Sequence, residues 1–230
     1  RSMHLLTKIP LAHVELRWDR ELAGGGAEAR AKQLRGALAE AFIDDDLFHQ
    51  HDRASGKALY RYPQVQYRWR DGRGLVVGWA AAAGRLLTMP WLDLTLRLGE
   101  DAVMVSDAAL TMHYGAFGVS ERLLRYHLMT PALLFKAENY HRYQAMNLAE
   151  QQVERDRLLV AGLLIALRGV DVKFPERLYA TFTDIHSRPC RYKGQELIGI
   201  SGKLLCNVVL PDGFALGHAV SHGFGWLMAG

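Results

Sequence analysis

Apolar residues along the chain follow two periods, one typical of strands and one typical of helices. Apolar and polar residues alternate from Leu5 to Trp18, which predicts a half-buried strand. After a glycine triplet, apolar residues recur three and four positions apart from Ala27 to Phe42, which predicts an amphipathic helix. Two more strands, 58–70 and 74–79, flank Asp71-Gly72, a dipeptide that favours tight hairpin turns.

The first half of the chain therefore has a recognisable order of elements. A short helix over 80–87 and a strand over 92–98 complete the series strand, helix, strand, strand, helix, strand, which is the ferredoxin-like order. From residue 99 a second α+β unit is predicted. Its expected elements are an extended segment at 102–114, helices at 138–146 and 150–167, and strands at 178–185, 191–199 and 202–210. No clear linker separates the units, so we expect them to pack side by side.

Composition is that of an ordinary soluble protein. The 230 residues are 50% hydrophobic and 23% charged, enough for one large domain or two small ones. No run of about 18 apolar residues occurs, and no signal-peptide core follows Met3, so we expect a cytoplasmic protein without a membrane span. Cys190 and Cys206 are too few for a disulfide framework and too far apart for a zinc site.

The positive charges are mostly arginine. Of the 28 Lys and Arg residues, seven are lysine and 21 are arginine. The planar donor fork of arginine suits phosphate, so this bias favours a nucleic-acid partner. A GC-rich genome, which enriches Arg, Ala, Gly and Leu together, explains the same bias equally well.

A histidine pair follows the first predicted helix. In an extended backbone His49 and His51 would face one side, where one imidazole could accept a proton and the other donate one. RNA cleavage by the substrate's own 2′-hydroxyl needs such a base and acid, plus a group that stabilises charge on phosphorus, for which Tyr60 and Lys57 are candidates. Two zinc ligands completed by Asp52 or another histidine, or plain surface histidines, are the alternatives.

Two further segments have features of RNA-binding surfaces. Along 60–70, aromatic, basic and amide side chains alternate, so that bases could stack on the aromatics while Arg61 and Arg68 hold phosphates. A solvated edge strand is the alternative. Near the C-terminus, the glycine-rich stretch 213–226 would let backbone amides approach a phosphate, but it lacks the Gly-Lys-Ser/Thr ending of a nucleotide triphosphate loop.

Taken in order, these segments resemble the Cas6 CRISPR endoribonucleases and, more narrowly, their Cas6b branch. The N-terminal likeness lies in Leu34-Arg35-Gly36-Ala37-Leu38, Leu47-Phe48-His49-Gln50-His51 and Tyr60-Arg61-Tyr62-Pro63-Gln64-Val65-Gln66-Tyr67. The C-terminal likeness runs through Thr130-Pro131, Glu138-Asn139-Tyr140, Glu154-Arg155, Tyr192-Lys193-Gly194 and Gly202 to Leu210 into the glycine-rich loop. It spans residues 31–225 and implies an α+β fold of two ferredoxin-like (RRM-like) halves, here residues 1–98 and 99–230.

The resemblance also implies roles for particular residues. His49 and His51 stand where the branch keeps its catalytic histidines, and Tyr60 falls where it supplies an assisting tyrosine. No metal or other cofactor is expected, and the upstream product would carry a 2′,3′-cyclic phosphate. The expected RNA-binding residues are Arg35, Lys57, Arg61, Arg68, Gly217, His218, Ser221, His222 and Gly223. The loop departs from the usual pattern at Ala215, and by carrying His218 and His222 where basic residues are common.

The expected function is therefore processing of CRISPR precursor RNA by cleavage within its repeats. A non-catalytic subunit of the same fold that binds repeat RNA is the main alternative, and a metal-dependent hydrolase ranks below both. The expected partners are CRISPR repeat RNA, other Cas effector subunits and, through a homodimer, a second copy of the chain.

Overall fold

The computed structural model of the chain describes residues 5–49 and 62–230. This part of the chain has both helices and strands, which confirms the predicted α+β class. The elements are β1 (Thr7–Trp18), α1 (Ala27–Ala41), β2 (Val65–Arg70), β3 (Arg73–Trp79), α2 (Ala81–Leu87), β4 (Thr95–Leu98), β5 (Asp101–Ala132), α3 (Ala137–Gln144), α4 (Leu148–Gly169), β6 (Ala180–Tyr192), β7 (Gln195–Val209) and β8 (Leu227–Ala229). No helix in the described ranges is long and apolar enough to cross a membrane.

The chain divides into two compact units. Of the described residues, the N-terminal unit contains those between 9 and 114 and, from the far end of the chain, 221–223; the C-terminal unit contains 5–8, 115–220 and 224–230. We predicted the division after Leu98, and the N-terminal unit instead extends to Tyr114. The difference arises because β4 is only the first arm of a hairpin, in which Thr95 pairs with Met104 and Leu98 with Asp101.

In the N-terminal unit an antiparallel sheet is covered on one face by helices. The strands follow the order β2-β3-β1-β5, and β4 pairs with β5. Alternate residues of β1, Val14 and Leu16, are fully buried and pack in one core with Leu34 and Leu38 of α1. Apolar spacing of three and four residues makes this helix face continuous, which is why the sequence predicted α1 well.

The C-terminal unit consists of antiparallel strands and two helices. Strand β7 pairs with β6 on one side and with the second part of β5 on the other, and β8 pairs with the opposite edge of β5. Helix α4 begins with a capping box between Asn147 and Glu150. Its Asp156 fixes the helix to β6, because its carboxylate accepts hydrogen bonds from Phe182 N (3.0 Å) and Thr181 Oγ1 (2.8 Å).

One predicted break in this unit is wrong. We expected strands at 178–185, 191–199 and 202–210, with a break at Ile200-Ser201, but β7 runs through both residues. The turn lies instead at Lys193 and Gly194, whose φ angles of +49° and +76° suit a tight hairpin. Gly202 (φ +127°) stays within the strand beside a bulge, where a Cβ would lie 2.0 Å from Asp184 O. Glycine here marks a close backbone approach, not the end of a strand.

Candidate functional site

His49 stands at the end of a well-anchored turn. After α1, Asp45 caps a short 3₁₀ helix (Asp46–Phe48) by accepting a hydrogen bond from Leu47 N at 2.9 Å. Arg85 of α2 holds the same turn through ion pairs with the carboxylates of Asp45 and Asp46. Phe48 points into the core and stacks on Phe42 with ring centroids 5.0 Å apart. The position of His49 is thus fixed by contacts on both sides of the turn.

The His49 imidazole is half-buried and its backbone is extended (φ −119°, ψ 122°), as the prediction for this segment required. Its Nε2 atom is enclosed, and it has no hydrogen-bond partner among the described residues. Buried polar atoms are nearly always satisfied, so an unsatisfied one is a candidate for contact with a substrate. This nitrogen is the clearest sign of a site in the N-terminal unit.

Several predicted site residues lie outside the residues that the structure describes. His51, Lys57, Tyr60 and Arg61 all fall within residues 50–61. Their assignments as catalytic or RNA-binding residues stay predictions.

Just after that segment, a chain of buried polar groups leads along β2. Gln66 Nε2 donates to Tyr62 Oη (2.9 Å), and Arg68 Nη2 donates to Gln66 Oε1 (3.1 Å). Arg68 is only 4% exposed, and burial lowers its pKa to about 10, so it keeps its charge at neutral pH. We expected Arg68 to hold an RNA phosphate at the surface, but its guanidinium faces the interior of the fold.

Arg35, another predicted RNA-binding residue, lies on α1 and is half-buried. Burial raises the pKa of the Tyr67 phenol on β2, and the charge of Arg35 acts in the opposite direction with a smaller effect. Arg35 is therefore close to β2 and partly exposed to solvent, and its assignment as an RNA-binding residue stays a prediction.

The glycine-rich loop begins in the C-terminal unit. Gly217 has φ +96°, and a Cβ there would lie 3.0 Å from Leu133 O, so this position requires glycine. The next residue, His218, donates its backbone N–H to Leu133 O at 2.8 Å while its side chain is exposed. Partial burial of the imidazole, and then the charge of Lys136, lower the pKa of His218. At neutral pH the side chain is therefore a neutral donor and acceptor.

The end of the same loop belongs to the N-terminal unit. Ser221 and His222 are 7% and 6% exposed, and Gly223 packs against β2, where a Cβ would lie 3.0 Å from Tyr67 O and 3.9 Å from Arg68 Cα. The structure thus brings Ser221, His222 and Gly223 to the strand that carries Arg68. Their burial favours a role in shaping this part of the unit.

A second histidine pair was missed by the sequence analysis. His13 of β1 stacks on His113 of β5 with ring centroids 5.5 Å apart. Burial, then the charges of Arg68 and His113, lower the pKa of His13 to about 4. Its Nε2 is enclosed, with no hydrogen bond to any residue of the described ranges. The only signal of this pair in the sequence was the position of His13 between Ala12 and Val14. Alternation along β1 places the His13 side chain on the face opposite to these two buried residues.

Within residues 5–49 and 62–230, no three His, Cys, Asp or Glu side chains are grouped closely enough to hold a metal ion.

Known proteins resemble this chain over part or nearly all of its length. Among them, Uncharacterized protein MJ0978 of Methanocaldococcus jannaschii is 26% identical over 130 residues, which is 56% of this chain and 88% of that protein. A crystal structure of Cas6b superposes with a TM-score of 0.85 at 21% identity, covering 97% of this chain and 100% of the other. A crystal structure of the CRISPR RNA processing endoribonuclease Cas6b gives a TM-score of 0.68 at 21% identity, covering 96% and 100%. These structures show the shared fold.

Family models show the relationship directly. The Cas6b N-terminal domain model matches residues 7–114, and the Cas6b C-terminal domain model matches residues 118–229. The two matches meet where the structure divides the chain, after Tyr114. They confirm the resemblance found in the sequence: the chain belongs to the Cas6b family.

Proposed function

We propose that the protein is a metal-independent endoribonuclease that cuts CRISPR precursor RNA within its repeats and leaves a 2′,3′-cyclic phosphate. Family membership over nearly the whole chain carries this proposal. A structurally similar Cas6b is a CRISPR RNA processing endoribonuclease, and a similar Cas6 has been solved as a product complex.

The chemistry needs only groups that the chain and its substrate supply. A base takes the proton of the 2′-hydroxyl as its oxygen bonds to the adjacent phosphorus. The bond from phosphorus to the 5′-oxygen breaks, and an acid returns a proton to that oxygen. One proton is taken and one given, so no water or metal ion is consumed.

His49 supports this assignment by its environment. A general acid or base must present a nitrogen within hydrogen-bond distance of the proton that it moves. The Nε2 of His49 meets no partner within the described residues, so no internal hydrogen bond has to be displaced. Because this atom is enclosed, RNA binding must expose it before it can move a proton. In an extended backbone His51 would lie on the same side and take the second proton role.

Cleavage of repeat RNA in excess EDTA tests the proposal. We expect one cut per repeat, and mass spectrometry should find the upstream fragment one water lighter than a linear 2′- or 3′-phosphate. A strict requirement for added Mg²⁺ or Zn²⁺ would contradict the acid-base mechanism. Tight binding without any cleavage would instead support a non-catalytic RNA-binding subunit.

The partners belong to the same proposal. Repeat RNA is the expected substrate, and association with other Cas effector subunits or with a second copy of the chain is expected around it. Size-exclusion chromatography with light scattering measures self-association of the protein with and without RNA. The same measurement with other Cas subunits added detects their binding.

A further inference from the structure

A cluster of aromatic and basic side chains surrounds α3 in the C-terminal unit. Phe135 is buried in front of the helix, and Tyr140 and Tyr143 are half-buried on it. The ring centroids of Phe135 and Tyr143 lie 4.6 Å apart. Those of Tyr140 and Tyr143 lie 6.1 Å apart with nearly parallel planes, 24° from each other. Tyr140 also meets Phe135 edge to face, with ring centroids 5.8 Å apart, so the three rings form one cluster.

The contacts of Phe135 and Tyr143 within this cluster have a structural explanation. Arg155 of α4 donates from Nη1 to Tyr143 Oη at 2.6 Å, and its guanidinium carbon lies 6.0 Å from the ring centroid. Gln151 Nε2 donates to the backbone oxygen of Tyr143 at 3.1 Å. Phe135, Tyr143 and Arg155 therefore dock α3 onto α4 and keep the Tyr143 ring in place.

Tyr140 is not explained in this way. Its ring packs against Phe135 and Tyr143 but stays half-buried, and within the described ranges no hydrogen bond of its hydroxyl helps to dock α3 onto α4. The outer Tyr140 ring is thus backed by a fixed aromatic neighbour, which removes much of the entropic cost of ordering it for a ligand.

The charges around Tyr140 suit a polyanion. Lys136, one helical turn before it, and the following His141 and Arg142 are exposed. Glu138 is the one carboxylate within α3, and Glu154 of α4 pairs with Arg157 while also lying close enough to Arg142 for their charges to interact. His218 of the glycine-rich loop lies close enough to Lys136 for the two charges to interact.

We infer that Tyr140 is a stacking platform for a base of single-stranded RNA, with Lys136 and Arg142 binding the flanking phosphates. Aromatic rings bordered by cations are the usual means of holding single strands, because every base has a π-face and every linkage a negative charge. This inference rests on the proposed function for the identity of the RNA, and adds a contact surface on the C-terminal unit that the histidine site does not include.

Equilibrium binding of labelled repeat RNA to the full-length protein tests the platform. We expect Tyr140→Ala to weaken binding about tenfold to a hundredfold, the range for loss of one stacked base. Tyr140→Phe, which keeps the ring, should bind close to wild type. Tyr179→Ala is the matched control, because Tyr179 is a 54% exposed tyrosine of the same unit beside an arginine, with Arg177 5.4 Å from its ring centroid. It should leave affinity unchanged.

Photocrosslinking gives a readout that does not depend on a substitution. RNA carrying 5-iodouridine at successive positions should crosslink to the peptide that contains Tyr140 from one or two positions only.

If Tyr140→Ala fails to fold, Tyr140→Leu replaces it in the binding experiment, since leucine fills space without a π-face.

The outcomes separate this inference from the proposed function. If the wild-type protein cuts the repeat, while Tyr140→Ala or Tyr140→Leu binds as tightly as wild type and no crosslink reaches Tyr140, the platform is wrong and the nuclease assignment stands. If the wild-type protein binds no RNA, both are wrong. Loss of affinity in Tyr140→Ala with the crosslink present supports the platform, whatever the cleavage rate.

Discussion

At the scale of single residues, two half-buried histidines, His49 and His13, lie in different surroundings. His49 and His13 each have an enclosed Nε2 without a partner among the described residues. His49 ends a turn at the start of the segment that carries His51, whereas His13 lies within β1 beside Arg68 and His113. Leaving such an atom unpaired costs about 1–3 kcal/mol, so each calls for a separate explanation.

Replacing His49 tests the catalytic explanation. His49→Ala should slow single-turnover cleavage by about 10²-fold or more, because a general acid or base contributes that much, and RNA affinity should change little. Rates are compared at saturating protein by gel analysis of end-labelled repeat RNA. His186→Ala, which changes a 74% exposed histidine, is the control and should cut like wild type. A wild-type rate in His49→Ala would move the catalytic centre elsewhere.

His13 predicts a pH dependence of stability. Its pKa is about 4 in the folded protein and 6.5 as the ordinary value, so between these values the unfolded chain binds the additional proton. The contribution of His13 to the free energy of unfolding is therefore fully present above pH 6.5. It is lost as the pH falls towards 4, which lowers the free energy of unfolding by at most about 3 kcal/mol. Urea unfolding at a series of pH values measures this decrease.

The matched variant for that measurement is His13→Phe. It keeps a ring for the stack on His113 but cannot take up a proton, so stability should fall less steeply between pH 6.5 and 4 than in wild type. Carboxylates titrate equally in both proteins, which is why the difference between the two curves is the quantity to compare. Parallel curves would show that His13 has the same pKa in the folded and the unfolded chain.

At the scale of elements, local patterns predicted some strands and helices well and others poorly. Helix α1 has a continuous apolar face, and the turn between β2 and β3 has Asp71 and Gly72 with φ angles of +52° and +73°, as expected from the dipeptide. Strand β5 extends from Asp101 to Ala132 and so passes from one unit to the other, although we predicted only 102–114. Its length depends on its pairing with β7, which no local pattern shows.

The candidate site was predictable to a similar degree. The position and extended backbone of His49 followed from its place after α1. The burial of Arg68 did not, because alternation along β2 distinguishes the two faces of a strand but does not show that both are covered. Val65, Gln66, Tyr67 and Arg68 are all buried.

That burial changes what Arg68 is expected to do. Arg68→Ala should lower the free energy of unfolding by about 2–4 kcal/mol, because it leaves Gln66 Oε1 without its donor and creates a cavity. Arg70→Ala on the same strand is the control, since Arg70 has a 63% exposed side chain and should change stability by no more than about 0.5 kcal/mol. Equal stability of the two variants in urea unfolding would contradict an internal role for Arg68.

Salt dependence distinguishes the same two roles. If Arg68 acts inside the fold, the folded Arg68→Ala protein should lose RNA affinity with increasing salt as steeply as wild type, because no phosphate contact has been removed. A flatter slope would show that Arg68 reaches the RNA after all.

At the scale of the whole molecule, one end of the chain completes a unit built from the other. Residues 221–223 pack with the N-terminal unit although the neighbouring parts of their loop belong to the C-terminal unit. Sequence analysis took the glycines of this loop as a phosphate-binding device, and it had no means of detecting contacts with a strand about 150 residues earlier. The structure indicates that Gly223 has a packing role first.

Gly223→Ala tests this long-range contact. The residue has φ +88°, and a Cβ would lie 3.0 Å from Tyr67 O and 3.3 Å from Ala31 Cβ. Alanine therefore adds backbone strain, and its methyl group presses against both β2 and α1. We expect the free energy of unfolding to fall by about 1–3 kcal/mol, and the amides of β2 to exchange faster with deuterium than in wild type.

Gly36→Ala is the matched control, because Gly36 lies within α1 and a Cβ there meets nothing within 4 Å. It should stabilise the protein by about 0.5–1 kcal/mol, since alanine is the better helix former. The difference between the two variants isolates the effect of the site from that of adding a methyl group. If Gly223→Ala matched wild type in both stability and β2 protection, residues 221–223 would be only loosely attached to the N-terminal unit, and the loop would be free to bind phosphate as the sequence first suggested.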